Sequence, residues 1–205
     1  AIRIISFNTI NKISDFWIDK ITNAYNYRKA INLINNPETN CYRLVHAEGD
    51  SLPGLIIDIY NTTAVIQCHS IGMHRDINHI TAALQSIYGE RLHAIYSKSK
   101  NTLPKEYANT IEDDYQFGTS TSCPAIVLEN NVQFEINWET GQKTGFFLDQ
   151  RDNRNHMTQY VKGRKVLNAF SYSAGFSVYA LNAGAAEVHS VDVSKTATDL
   201  GDRNV

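Results

Sequence analysis

Apolar positions along this chain keep two rhythms, one near 3.6 residues and one near 2, and their alternation predicts most of the elements. Phe16, Trp17, Ile21, Ala24, Tyr25 and Ile31 recur near helical spacing, so residues 14–33 read as a helix. Ser14 would be its N-cap, Asp15 lies in the first turn, and Asn35-Asn36-Pro37 ends it. Its surface shows Tyr27, Arg28 and Lys29, a solvated face that could also meet RNA. Three strands follow, at 42–47, 55–60 and 64–69, the last two joined through Asn61-Thr62 as a tight hairpin. Ile77, Ile80, Ala83, Leu84 and Ile87 place an amphipathic helix over 76–88, closed by Gly89. Residues 94–97 form a short strand, the polar stretch 98–124 yields no assignment, and strands at 125–129 and 132–137 flank Asn130-Asn131 as a second hairpin. Ile2, Ile4, Ile5 and Phe7 alternate like a strand.

From residue 139 the character changes. Residues 139–154 are dense in polar and aromatic groups, 156–161 look helical, and Gly163 breaks that helix. A buried strand at 166–170, a helix at 176–182 ending at Gly184, and a strand at 187–191 closing on Asp192 come next. Ser194 caps a helix that runs to the last residue. This β-α-β order opens a parallel, doubly wound sheet. The fold class is therefore α/β, with a small central α+β domain at 37–138 followed by the first part of a Rossmann-like domain at 139–205.

Composition narrows the classes. Hydrophobic residues at 42% and charged residues at 20% suit a globular chain of 205 residues. No run approaches the roughly 18 apolar residues of a membrane span, and the N-terminus lacks a signal peptide's apolar core. Cys41, Cys68 and Cys123 contain no CxxC pair, which argues against a disulfide framework or zinc site and suits a reducing cytoplasm. His69, His74, His79 and His93 lack metal-ligand spacing, Asp50 and Asp58 read as a turn and a strand edge, and no metal is expected. A net charge of −2 excludes a global basic field for nucleic acid, though not an RNA substrate. The missing initial Met and a final helix without a partner lead to the expectation of a piece of a longer protein.

Two segments carry candidate chemistry. In the first, a strand from Lys165 enters a turn of small residues (Ser171, Ser173, Ala174, Gly175) and then a helix, and about twenty residues on Asp192 ends the next strand. That spacing sets a carboxylate where it can accept the ribose hydroxyls of an adenine nucleoside. A dinucleotide site favours repeated glycines so that backbone can approach a pyrophosphate, and here Gly175 stands alone. S-adenosylmethionine has no pyrophosphate, so the turn favours that methyl donor over NAD. A plain βαβ unit without a ligand is the bland alternative. In the second segment, Gly141 and Gly145 bracket Gln142, Lys143 and Thr144, and Phe146, Phe147, Asp149, Gln150, Arg151, Asp152 and Arg154 follow. So many fixed-geometry polar groups have little use in packing alone, although a solvated connector would also fit.

The runs Gly-Gln-Lys-Thr-Gly-Phe-Phe-Leu-Asp-Gln-Arg-Asp-Asn-Arg (141–154), Val-Leu-Asn-Ala-Phe-Ser-Tyr-Ser-Ala-Gly-Phe-Ser-Val-Tyr-Ala (166–180) and Val-Asp-Val-Ser (191–194) resemble the large-subunit ribosomal RNA cytosine-C5 methyltransferases. Residues 42–60 resemble the opening of that family's central domain. The resemblance implies an upstream PUA domain ending within residues 1–36 together with a linker helix, a central α+β domain, and a Rossmann-like class I S-adenosylmethionine-dependent methyltransferase domain. By position it implies that Lys143, Thr144, Phe147, Gln150 and Arg151 flank the cofactor. Asn168, Phe170, Ser171, Tyr172 and Gly175 would wrap its methionine end, and Asp192 would bind its ribose. Ribosomal RNA is the implied substrate and a homodimer is compatible with it. C5 methylation needs a thiolate to add at C6, a methyl donor and a base that removes the C5 proton. The family's nucleophilic cysteine is expected beyond Val205, and Cys41, Cys68 and Cys123 read as core or loop thiols. This piece alone is accordingly expected to be inactive and to bind the cofactor weakly or not at all, since adenine contacts are expected from later strands. Guanine-N2 or protein methylation, and a non-catalytic RNA-binding module, are the competing readings.

Overall fold

A computed structural model describes residues 4–119 and 123–205. The chain divides into two compact units, residues 1–121 and 122–205.

In the first unit, α1 (Ile13–Ala30) precedes a five-stranded sheet of β1 (Cys41–His46), β2 (Leu55–Tyr60), β3 (Thr63–Cys68), β4 (Ala94–Ser97) and β5 (Asp114–Phe117), in that spatial order. Pairing is antiparallel except for β3 and β4, whose parallel pairing requires the crossover through α2 (Ile71–Arg75) and α3 (Ile77–Tyr88). Trp17 and Ile21 of α1, Ile80 and Leu84 of α3, and Leu44, Ile57 and Ile66 of the sheet form the buried core. Asn61, at φ +55, closes the β2–β3 hairpin.

Several expectations change here. Ser14 lies inside α1 and its hydroxyl bonds Asp15, so Lys12 is the N-cap and offers no side-chain cap. The expected helix at 76–88 is two helices, because the Ser70 hydroxyl caps α2 and the chain bends at Asp76, which accepts the Trp17 indole N–H at 3.0 Å. Arg28 is buried rather than displayed, held by Asp50 and by the Arg43 carbonyl. Asp58 is not at an edge: it sits fully buried in mid-sheet, bidentate to Arg43. The polar stretch after 98 holds α4 (Lys105–Ala108) and β5. Residues 1–3 lie outside the described residues, and Ile4–Phe7 make no strand, since no described strand pairs with them.

The second unit begins with the hairpin β6 (Ala125–Glu129) and β7 (Val132–Ile136), which the sequence reading placed in the central domain. Asn130 and Asn131, at φ +51 and +63, supply the two left-handed residues that a tight two-residue turn demands. After the polar loop come α5 (Arg151–Val161), β8 (Lys165–Ala169), α6 (Gly175–Asn182), β9 (Glu187–Val191) and α7 (Lys195–Asn204). β8 and β9 pair in parallel, with α6 as the crossover. Val127, Phe134, Phe146, Val178, Tyr179 and Leu200 are buried here.

Candidate functional site

β8 ends at Ala169, and after five intervening residues α6 begins. Within that turn Phe170, Tyr172 and Ala174 adopt φ +57, +47 and +62, each costing an L-residue about 1–2 kcal/mol. The turn is held by β9: Ser171 N–H donates to the Val191 carbonyl at 3.0 Å and Tyr172 N–H to Asp192 Oδ2 at 2.9 Å. Asp192 Oδ1 accepts the Ser194 N–H at 2.9 Å, and the Ser194 hydroxyl caps α7. The backbone N–H groups of Ser194 and then Tyr172 hold the Asp192 carboxyl below its usual range, so it is an anion at neutral pH.

The second wall is the loop before α5. Gly141 N–H donates to Asn137 O at 3.0 Å, and a Cβ at 141 would lie 2.2 Å from that same oxygen, so glycine is required by close approach. Phe146 and Phe147 follow, and a single turn at Leu148–Gln150 leads into α5. Arg154, 2% exposed, gives Nε and Nη2 to the two carboxylate oxygens of Glu129 at 2.8 and 2.7 Å. Its Nη2 also reaches the Phe147 carbonyl at 3.1 Å, and its guanidinium lies 4.5 Å from the centre of the Phe146 ring. A side chain at Gly175 would press on Arg154 Cδ at 3.3 Å, which accounts for a glycine opening α6.

Between these walls, at the carboxyl ends of β8 and β9, lies a cavity of about 350 Å³. In open α/β sheets ligands bind at that end. Seven of the eleven expected cofactor residues line it: Phe147, Gln150, Phe170, Ser171, Tyr172, Gly175 and Asp192. Four do not. Thr144 is fully buried, Lys143 lays its ammonium 4.3 Å over the Phe147 ring, Arg151 turns toward Asp152, and Asn168 donates to the Ser177 hydroxyl at 2.8 Å. Gln142, Phe146, Arg154, Ser173 and Phe176 also line the cavity and were not singled out as site residues from sequence. The hydroxyls of Ser171 and Ser173 are buried without a hydrogen-bond partner, an uncommon state for a polar atom in a folded interior. A larger cleft of about 770 Å³ in the first unit, beside Phe7, Phe16 and Lys20, assembles no comparable set.

A family model described as S-adenosylmethionine-dependent methyltransferase matches residues 74–205. A protein of Aeromonas salmonicida named ribosomal RNA large subunit methyltransferase I is 38% identical over 93% of this chain and 47% of its own length. One of the same name from Tolumonas auensis is 37% identical over 99% of this chain and 51% of its own. The chain spans about half the length of the curated relatives it matches. Among solved structures, a protein of Streptococcus mutans assigned as a SAM-dependent methyltransferase superposes with a TM-score of 0.85 at 27% identity, covering 98% of this chain and 50% of that one. A methyltransferase structure complexed with SAH gives a TM-score of 0.84 at the same identity, with the same coverage.

Proposed function

This chain belongs to the S-adenosylmethionine-dependent methyltransferases, and from that premise we propose that the cavity between the 170–174 turn and the 141–150 loop is the cofactor site of an enzyme that forms 5-methylcytosine in large-subunit ribosomal RNA. The observation carrying the cofactor reading is Asp192, an anion at the end of the second parallel strand, on the rim of a cavity walled by Phe146, Phe147, Phe170 and Phe176. The residues fit the group. The volume is within the range of small-molecule sites, and the unpartnered Ser171 and Ser173 hydroxyls lie where a ligand could complete the polar lining.

Bound there, S-adenosylmethionine would supply an electrophilic methyl group. Asp192 would accept the ribose hydroxyls with the lone pairs its backbone donors leave free. Phe146, Phe147 and Phe176 would exclude water from the nucleoside, and Gln142 and Gln150 would supply polar contacts at the loop side. Of the four expected residues that do not line the cavity, Lys143 would support the wall through its contact with the Phe147 ring.

The names of the relatives support a ribosomal RNA substrate, and the resemblance of the motifs at 141–154 and 166–180 supports the cytosine C5 product. Cys41 and Cys68 are buried in the first unit and Cys123 is partly buried; none lines the cavity. Burial raises the Cys68 thiol to about 12, leaving it no thiolate at neutral pH. We therefore expect these 205 residues alone not to transfer methyl groups. Three free thiols favour a reducing, cytoplasmic setting, and among the described residues no helix is long and apolar enough to cross a membrane.

The test has two arms. Calorimetric titration of SAH should give binding, weak in these 205 residues alone, that Asp192→Ala abolishes or weakens further; equal affinity in wild type and variant would refute the site. Labelled-methyl incorporation into ribosomal RNA, with nucleoside mapping of the product, should give 5-methylcytosine from the full-length protein and nothing from these 205 residues. Methylated guanine or methylated protein would redirect the substrate assignment.

A further inference from the structure

Tyr172 occupies a backbone conformation that favours glycine, at φ +47, yet carries one of the larger side chains in the turn. Its phenol reaches across to the opposite wall. The hydroxyl donates to the Gly145 carbonyl at 3.1 Å and accepts the Gln142 N–H at 3.0 Å, so both hydrogen-bonding capacities go to the loop backbone. Its ring meets Phe147 edge-on, with centroids 5.1 Å apart. At its other end, the Tyr172 N–H is the group that Asp192 Oδ2 accepts. Burial raises the phenol above its ordinary range, so it stays neutral and keeps the proton it donates.

One residue therefore touches three parts of the cavity: the carboxylate on the rim, the strained turn, and the loop that presents Gln142 and Phe147. We propose that Tyr172 is a positioning residue that straps the 141–145 loop to the turn, so that filling the cavity tightens the loop and loosening the loop weakens cofactor binding. This rests on the cofactor reading above. A ligand hydrogen-bonded to Asp192 fixes the carboxylate, the carboxylate fixes the Tyr172 N–H, and the phenol carries that constraint to Gln142 and Gly145. The loop glycines fit the same account, since a Cβ at Gly141 would lie 2.9 Å from the Tyr172 hydroxyl.

Tyr172→Phe in the full chain removes the hydroxyl and keeps the ring. The expected result is a folded protein with a thermal midpoint near that of wild type and about tenfold weaker SAH binding, the scale of one or two hydrogen bonds. Amide hydrogen exchange supplies the readout that a purely structural hydroxyl would not move. In wild type, SAH should slow exchange at both the Gln142 and Tyr172 amides; in the variant it should still protect Tyr172 but no longer Gln142. Wild-type SAH affinity in the variant, or a wild-type Gln142 amide indifferent to SAH, would overturn the proposal, and the second measurement decides even if the variant fails to fold. Wild-type protein that binds no SAH would overturn the cofactor reading itself, and the strap with it.

Discussion

Both carboxylate oxygens of Asp192 accept backbone N–H groups, and this sets how the site responds to pH. A carboxyl whose pKa is depressed in the folded protein stays ionised further into acid than it would in an unfolded chain. The interaction it makes is then fully present above the ordinary aspartate value near 4 and is lost only as pH falls through the lowered folded value. SAH affinity is therefore expected to stay flat from neutrality to about pH 5 and to weaken only below about pH 4. Titration calorimetry across that range checks it, and an inflection near pH 6–7 would show that a different group controls binding. Asp192→Asn removes the charge while keeping the shape. Charge-assisted hydrogen bonds contribute about 1.5–3 kcal/mol each, so an affinity loss of about 10- to 100-fold is expected.

At the scale of elements, the Glu129–Arg154 pair joins the β6–β7 hairpin to α5 in near-complete isolation from water. Glu129 also accepts the Tyr179 hydroxyl, so three elements meet at one carboxylate. Arg154→Met would leave that carboxylate buried without its cation, a change that costs about 3–5 kcal/mol. Chemical denaturation should register that loss, and Glu129→Leu combined with Arg154→Met should recover most of it; a double variant no better than the single would mean that packing, not charge, dominates. Nothing in the local sequence announced this pair: Arg154 closes the 141–154 run, but Glu129 lies 25 positions earlier and outside any motif, and the run does not name its partner. What was legible had a local cause. Asn130-Asn131 specified the hairpin, Ser194 the cap of α7, and the run from Lys165 to Asp192 the parallel unit. What was not legible depended on distant partners. The bend at Asp76 answers to Trp17 some sixty residues earlier, and β5 is an edge strand whose burial lacks a simple alternation. Among the expected site residues, Thr144 and Asn168 line no part of the cavity and point into the fold, since a motif specifies a loop more readily than the direction of each side chain in it.

The whole chain carries a formal charge of −2, and about half of its cations are matched to carboxylates. At least nine of the 19 lysines and arginines sit in ion pairs, including the buried Arg28–Asp50, Arg43–Asp58 and Arg154–Glu129 pairs. A cation already matched to a carboxylate gains little by moving to a phosphate, since the carboxylate would lose its partner. Non-specific grip on RNA comes from releasing counterions, and for single strands the log–log dependence of affinity on salt has a slope of about −0.7 per phosphate contacted. With about half of the cations so matched and a net charge of −2, these 205 residues are expected to contact about three phosphates at most, a slope no steeper than about −2. RNA affinity would then change by roughly tenfold or somewhat more between 50 and 200 mM salt, where a protein making many phosphate contacts loses a thousandfold or more. Filter-binding or anisotropy titrations of this chain against ribosomal RNA fragments across that interval read the slope directly. A slope of −4 or steeper would reveal a phosphate track that the ion pairs conceal. A shallow one would mean that the proposed cofactor site comes with no phosphate track of its own on these 205 residues.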